Sequence, residues 1–427
     1  MNAALTDRIL AAVDEGFADQ TAFLQELVRL PSRRGREQTA QDAMARAFRA
    51  RGYATEIWPI DLDLIRHHPG FSPACVDYSD MLNVVATHRP RAETGRSLIL
   101  NGHIDVVPEG PLEFWTTPPY EPRIEGDWLY GRGSGDMKAG LTANLAALDA
   151  LRRIGLQPAA TVHLQSVTEE ECTGNGALAC MARGYRADAA IIPEPEDERL
   201  VRGNTGVLWF RVRVSGRPVH VREAGTGANA IEAAFRVIGA LRALEARWNA
   251  EKPRPKFYED LDHPLNFNVG MIEGGDWASS VPAWCAFDCR IAILPGERPA
   301  DAAREIEAAI ALAARDDPFL SNNPPTMEWN GFFAEGYILQ PGSEAEAVLG
   351  RAHLAAMSRP LESFVTPGYL DARVFAIYQD TPCLVYGPIS ENIHGYDERV
   401  SLSSLKRVTG AIALFIAEWC GVEPVAG

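Results

Sequence analysis

Five short segments carry side chains able to do chemistry, each beside glycine or proline at the end of an apolar run. In NGHIDVVPEG, His103 and Asp105 stand two apart on an expected strand, so both would point to one face. A carboxylate there can hold a ligating imidazole in one tautomer by accepting its second N–H. In LYGRGSGDMKAG (129–140), Asp136 opens a helix behind a glycine-rich stretch. A phosphate loop is the rival reading, but the spacing is neither GxGxxG nor GxxxxGK[ST]. HLQSVTEEECTGNGAL (163–178) sets three glutamates between an apolar run and Gly174 and Gly176. Adjacent carboxylates in such a turn can divide two jobs, one holding a cation while its neighbour takes the proton of an attacking water. Glu194 follows DAAIIP between Pro193 and Pro195, and His394 lies in the loop of YGPISENIHGYDERV. Singly, each has a plainer reading: a capping aspartate, a surface glutamate or a hydrogen-bonded loop histidine.

The elements that must position these residues alternate. An amphipathic helix fills the first thirty residues and ends at LPSRRG. Apolar runs at 81–88, 97–107, 160–167 and 188–193 read as strands, and MKAGLTANLAALDALRRIG reads as a helix between two of them. Strands alternating with helices predict an α/β sheet with helices on its faces. Near residue 207 the pattern changes to strand, helix (229–249), strand (266–272), strand (285–293), helix (300–315) and strand (326–331). That order is the split βαβ unit. The expectation is a mixed-sheet catalytic domain, residues 1–206 and 334–427, interrupted by a ferredoxin-like βαββαβ lid or dimerisation domain at 207–333.

The 427 residues exceed what one core usually serves, which favours two domains. A net charge of −16 without a basic cluster argues against nucleic acid or an anionic membrane surface as partner. No apolar run reaches bilayer length, and Asp7, Arg8, Asp14 and Glu15 interrupt the N-terminal stretch where a signal peptide needs apolar residues. Seven scattered cysteines contain no CxxC pair, so neither a disulfide framework nor a structural zinc knot is expected. Together these features predict a soluble cytoplasmic protein.

In combination, GHIDVVP, W…PPYEPRIEGDWLYGRGSGDMKAG, EEECTGNGA, IIPEP and NIHGYDE resemble the M20 metallopeptidase and amidohydrolase family, in family order and across nearly the whole chain. The resemblance implies two divalent metal ions per subunit. His103 and Glu194 would hold one and Glu171 and His394 the other, with Asp136 bridging and Asp105 orienting His103. It makes Glu170 the general acid/base, the frame within the three glutamates being chosen from the position of Gly176. Three carboxylates and two imidazoles suit zinc, and also tolerate cobalt or manganese. His220, in SGRPVHVREAG, would reach the partner's active site in a homodimer and stabilise the oxyanion, and Arg290 would anchor a substrate carboxylate.

The implied reaction is hydrolysis of an amide C–N bond in a small N-acyl amine, amino acid or short peptide. The same constellation would serve a hydrolytic deaminase or decarbamoylase, whereas a non-enzymatic binding protein should have lost base or ligands. Some positions depart from the family pattern: Ser279 before Val-Pro, the insertion at 62–80, and Tyr369-Leu370 where relatives often carry Gly-Thr. They point away from acetylornithine or succinyl-diaminopimelate and towards a substrate with an apolar or aromatic group.

Overall fold

A computed structural model of the protein describes residues 2–425. Its main sheet has six strands in the order Ala54–Pro59, Leu82–His88, Val162–Val167, Leu98–His103, Ala189–Ile192 and Cys383–Val385. Leu82–His88 is antiparallel to both neighbours, while the last four strands are mutually parallel. Those four are buried along almost their whole length and rich in Val, Ile, Leu and Ala, as expected of parallel strands covered on both faces. The helices Ala3–Val28, Ala139–Arg153, Glu344–Met357 and Leu402–Trp419 contribute to the largest core. On the other side, Asn175–Ala182 and Ala372–Tyr378 join a smaller core with Trp58, Ile65, Tyr78 and Val167.

The four-stranded second sheet has the order Phe267–Gly274, Trp284–Ile293, Gly206–Ser215, Thr326–Ala334, antiparallel throughout. Helices Ala230–Glu251 and Pro299–Arg315 cover one face, where Leu208, Phe210, Val212 and Val214 enter a separate core. The alternate residues Val207, Trp209 and Arg211 line a cavity on the opposite face, because successive side chains of a strand point to opposite sides. The βαββαβ order expected from the hydrophobic pattern is therefore the observed one. It delivers aromatic and charged side chains to a cavity of about 730 Å³ whose other walls come from the first sheet's loops.

Candidate metal centre

Three of the parallel strands of the main sheet end at this site, where sites form in α/β sheets. His103 is the last residue of Leu98–His103, Glu170 and Glu171 follow Val162–Val167, and Glu194 follows Ala189–Ile192. Asp136 comes from the turn Ser134–Lys138 before the helix Ala139–Arg153, and His394 from the loop after Ser390–Glu391. The fold thus brings together six side chains separated by up to 291 positions in sequence.

Asp136 occupies the middle. One carboxylate oxygen lies 3.1 Å from His103 Nε2 and the other 3.4 Å from His394 Nε2. Glu194 Oε2 is 3.7 Å from His103 Nε2, and Glu171 Oε2 is 3.2 Å from His394 Nε2. Ligand atoms of His103, Asp136 and Glu171 all fall within 4.8 Å of one another. Glu194 Oε1 is buried without a hydrogen-bond partner, an expensive state for a carboxylate unless a cation meets it. Four carboxylates crowd two imidazoles here, so the donor set fits divalent cations.

The same crowding moves the proton affinities of these groups. The charge of Glu171, opposed by burial and aided by Asp136, pushes His394 up to about 11. Burial disfavours a charged His103, but Glu194 and Asp136 outweigh it and hold the imidazole well above its usual range. Burial, reinforced by Glu194 and Asp371, drives the Glu170 carboxyl well above the ordinary value. Glu170 makes no side-chain hydrogen bond among the described residues; His103 Nε2 lies 4.0 Å from its Oε2. It stands on the cavity wall with its oxygens free, the arrangement a proton carrier needs.

Asp105 meets its expectation only in part. The strand stops at His103, and the main-chain carbonyl of Asp105 accepts the His103 Nδ1 proton at 2.8 Å. Its carboxylate stands back at 3.7 Å and instead accepts the Glu171 N–H at 3.1 Å. His103 is still fixed with Nε2 towards Asp136, by a backbone acceptor. Arg290 lines the cavity and donates to the Pro367 carbonyl at 2.6 Å. His220 is exposed, does not line this cavity, and accepts the Arg222 N–H at Nδ1. His67 and His68 of the 62–80 insertion do not reach the cavity; His68 packs edge-on against Tyr378 at 4.8 Å.

Two supporting networks escaped the sequence reading. Glu169, the first of the three glutamates, turns away from the cavity and is gripped by Arg34 (2.5 and 2.8 Å), Thr173 Oγ1 (2.8 Å) and the hydroxyl of Tyr78. Its φ of 70° lies in the left-handed region, sparsely populated by residues other than glycine, so these bonds hold the turn that presents Glu170 and Glu171. Glu398 accepts hydrogen bonds from Arg132 Nη1 (2.6 Å) and from the main-chain N–H groups of Gly133 (2.9 Å), Gly135 (2.9 Å) and Asp136 (3.1 Å). Arg132 in turn donates to the Gly395 carbonyl at 2.9 Å, beside His394. One buried ion pair therefore ties the Asp136 turn to the His394 loop. The signal for Glu398 was visible in the sequence only as the Asp-Glu that follows the His394 loop.

Comparison with known proteins is consistent with this geometry. Residues 99–418 match the family model described as peptidase family M20/M25/M40. The chain is 28% identical over 441 aligned positions, 97% of each protein, to the N-formyl-4-amino-5-aminomethyl-2-methylpyrimidine deformylase of Halalkalibacterium halodurans. It is 31% identical over 349 positions to the protein of the same name from Bacillus subtilis, covering 76% of this chain and 79% of that one. The di-peptidase Dug1p from Saccharomyces cerevisiae has the same fold, with a TM-score of 0.80 at 14% identity over 97% of this chain and 98% of that one.

Proposed function

The chain belongs to the M20/M25/M40 peptidase family and is a metal-dependent amidohydrolase, and from that premise we propose that it removes a formyl or similarly small acyl group from an amine. One observation carries the chemistry: Asp136 divides its two oxygens between His103 and His394, with the unbonded carboxyl of Glu170 alongside. Two relatives whose names specify an N-formyl substrate support the choice of acyl group.

In this reading His103 and Glu194 would hold one divalent ion and Glu171 and His394 a second, with Asp136 available to both. Zinc suits the nitrogen and carboxylate donors best, and cobalt or manganese should substitute. When bound, the ions supply Lewis acidity to the scissile carbonyl and make water a stronger acid. Glu170 takes a proton from the attacking water and delivers it to the leaving nitrogen, so the amide C–N bond breaks with a neutral amine as product. The main-chain carbonyl of Asp105 keeps His103 in one tautomer throughout. Arg290, on the cavity wall, is a cationic anchor for a carboxylate of the substrate.

The site is completed by a second copy of the chain. The edge strand Phe267–Gly274 pairs on one side only. Met271, Ile272 and nearby Trp277 are 59%, 48% and 73% exposed, an apolar strip on an open strand edge. Ser280, bridged to His220, lies just beyond that strip, so dimerisation through this edge would carry His220 towards the partner's cavity to stabilise the oxyanion. Seven unpaired cysteines suit a reducing compartment, and a cytoplasmic location is part of the proposal. No helix among the described residues is long and apolar enough to cross a membrane.

The test is turnover of a matched panel of N-formyl, N-acetyl, N-succinyl and N-carbamoyl amines by metal-reconstituted enzyme. N-formyl amides should be hydrolysed fastest. A succinyl or carbamoyl compound turned over far faster than every formyl amide would overturn the proposal.

A further inference from the structure

Resting on the amidohydrolase reading, we infer that Trp209, Phe332 and Tyr369 form a wall that selects a planar aromatic ring on the leaving amine, not on the acyl group. The three rings form one unit. Phe332 is almost fully buried and meets Trp209 edge-on at 5.0 Å and Tyr369 at 4.2 Å with a 35° tilt. Trp209 and Tyr369 flank it, partly exposed and on the cavity wall. The Tyr369 hydroxyl is already engaged, donating to Asp371 at 3.0 Å and accepting from Arg373 at 3.2 Å. What remains for a ligand is ring surface, with no hydroxyl to spare.

The wall's position decides which half of the substrate it reads. A side chain on Gly174 would begin 1.8 Å from the Tyr369 hydroxyl, and one on Gly331 would meet both Trp209 (2.6 Å) and the Cys172 carbonyl (3.0 Å). Tyr369 therefore packs on Gly174, and Trp209 reaches Cys172 through Gly331, so the wall borders the continuation of the turn that carries Glu170 and Glu171. Glu170 delivers a proton to the leaving nitrogen, so the group attached to that nitrogen must sit beside this turn. Beyond Trp209 on the same strand face, Arg211 is neutralised by Asp288 at 3.0 and 2.6 Å, and Asn330 also donates to Asp288. On that side the charges of Arg211 and Asp288 cancel, while Arg290, opposite Trp209 in the strand register, donates to the Pro367 carbonyl and remains the cation beside the wall. Offset or edge-on stacking supplies the selection, and it requires planarity.

The experiment compares N-formylbenzylamine with N-formyl(cyclohexylmethyl)amine, identical in acyl group and linker but planar against puckered, using metal-loaded full-length enzyme. Wild type should favour the planar amine by about tenfold in kcat/KM. Trp209→Leu and Tyr369→Leu should each bring the two towards parity, and Tyr369→Phe should keep the preference. Trp209 lies on the strand Gly206–Ser215 and Tyr369 in the loop after Ser363–Thr366, so misfolding of one variant leaves the other. Equal wild-type kcat/KM for the pair, or a preference that appears only when the ring is moved to the acyl side (N-benzoylmethylamine against its cyclohexyl counterpart), would overturn the inference. Calorimetric titration with benzylamine and cyclohexylmethylamine separates this inference from the formyl assignment. Tighter benzylamine binding, lost in Trp209→Leu, supports the wall even if no formyl amide is hydrolysed, and equal binding of the two amines removes it.

Discussion

Glu398→Gln should be far more damaging than a one-atom change suggests. The carboxylate is buried, and so is its partner Arg132, at 1% and 2% side-chain exposure. One oxygen takes Arg132 Nη1 and the Gly133 N–H; the other takes the N–H groups of Gly135 and Asp136. A glutamine can offer its oxygen to one of these pairs only, and its amide N–H then faces donors. In either orientation the buried Arg132 guanidinium loses its counter-ion, and one pair of N–H donors also loses its acceptor. The lost counter-ion alone costs about 3–5 kcal/mol, and each unsatisfied donor about 1–3 kcal/mol. Because these losses share one site they will not add, and an unfolding free energy lowered by about 3–5 kcal/mol is the expected result. The same bonds fix Asp136 and the His394 loop, so metal affinity should fall about 10–100-fold, with kcat following. Denaturant unfolding of the chelated protein gives the first quantity and competition with a chromophoric chelator the second. Glu391→Gln in the same segment removes the half-exposed ion pair with Arg399 and should cost less than about 1 kcal/mol. If Glu398→Gln were as mild as Glu391→Gln and bound metal like wild type, the coupling between these two loops would be refuted.

Other outcomes follow from the same structure. Burial, then the charge of Asp105, raises the Glu37 carboxyl to about 8, so between the unfolded value and pH 8 the native state binds one proton more than the unfolded chain. Stability should therefore fall as pH rises through that window, by up to about 1.4 kcal/mol per pH unit from this group. Glu37→Gln should remove that slope in urea midpoints measured from pH 5 to 8.5, and an unchanged slope would show that the group does not titrate there. Chelation should abolish turnover and lower the thermal midpoint, with zinc, cobalt or manganese restoring both, because the crowded carboxylates then lose their counter-charge; activity that survives exhaustive chelation would contradict the metal assignment. Met271→Glu on the exposed edge strand should yield monomers by sedimentation and should depress kcat as His220→Ala does, whereas a fully active monomer would dissociate His220 from the reaction.

The legible part of this molecule was the part written in short-range pattern. His103, Glu170, Glu171 and Glu194 are predictable as strand-end residues because a buried parallel strand is a continuous apolar run that stops abruptly, and the order of the second sheet follows from the alternation that begins at VLWFRVRVSG. The same alternation held an unread signal: Trp209 and Arg211 occupy what should be the solvent face, and aromatic residues there mean that something covers them. The supporting shell was illegible for a different reason. Arg34 reaches Glu169 across 135 positions, and Glu398 reaches Gly133 across 265; no local periodicity encodes such contacts. Asp105 shows the limit at short range. Two-residue spacing implies a shared strand face only while the strand lasts, and this one ends at His103.

The most direct test of the account is single-substrate kinetics of Glu170→Gln on an N-formyl amide, with metal content measured in the same samples. The glutamine is nearly isosteric and cannot shuttle the proton, so kcat should fall by about 10²–10⁴-fold while bound metal and KM stay near wild type. Glu170→Gln with wild-type kcat and full metal occupancy would contradict the assignment of Glu170 as the proton carrier, and with it the mechanism built on this site.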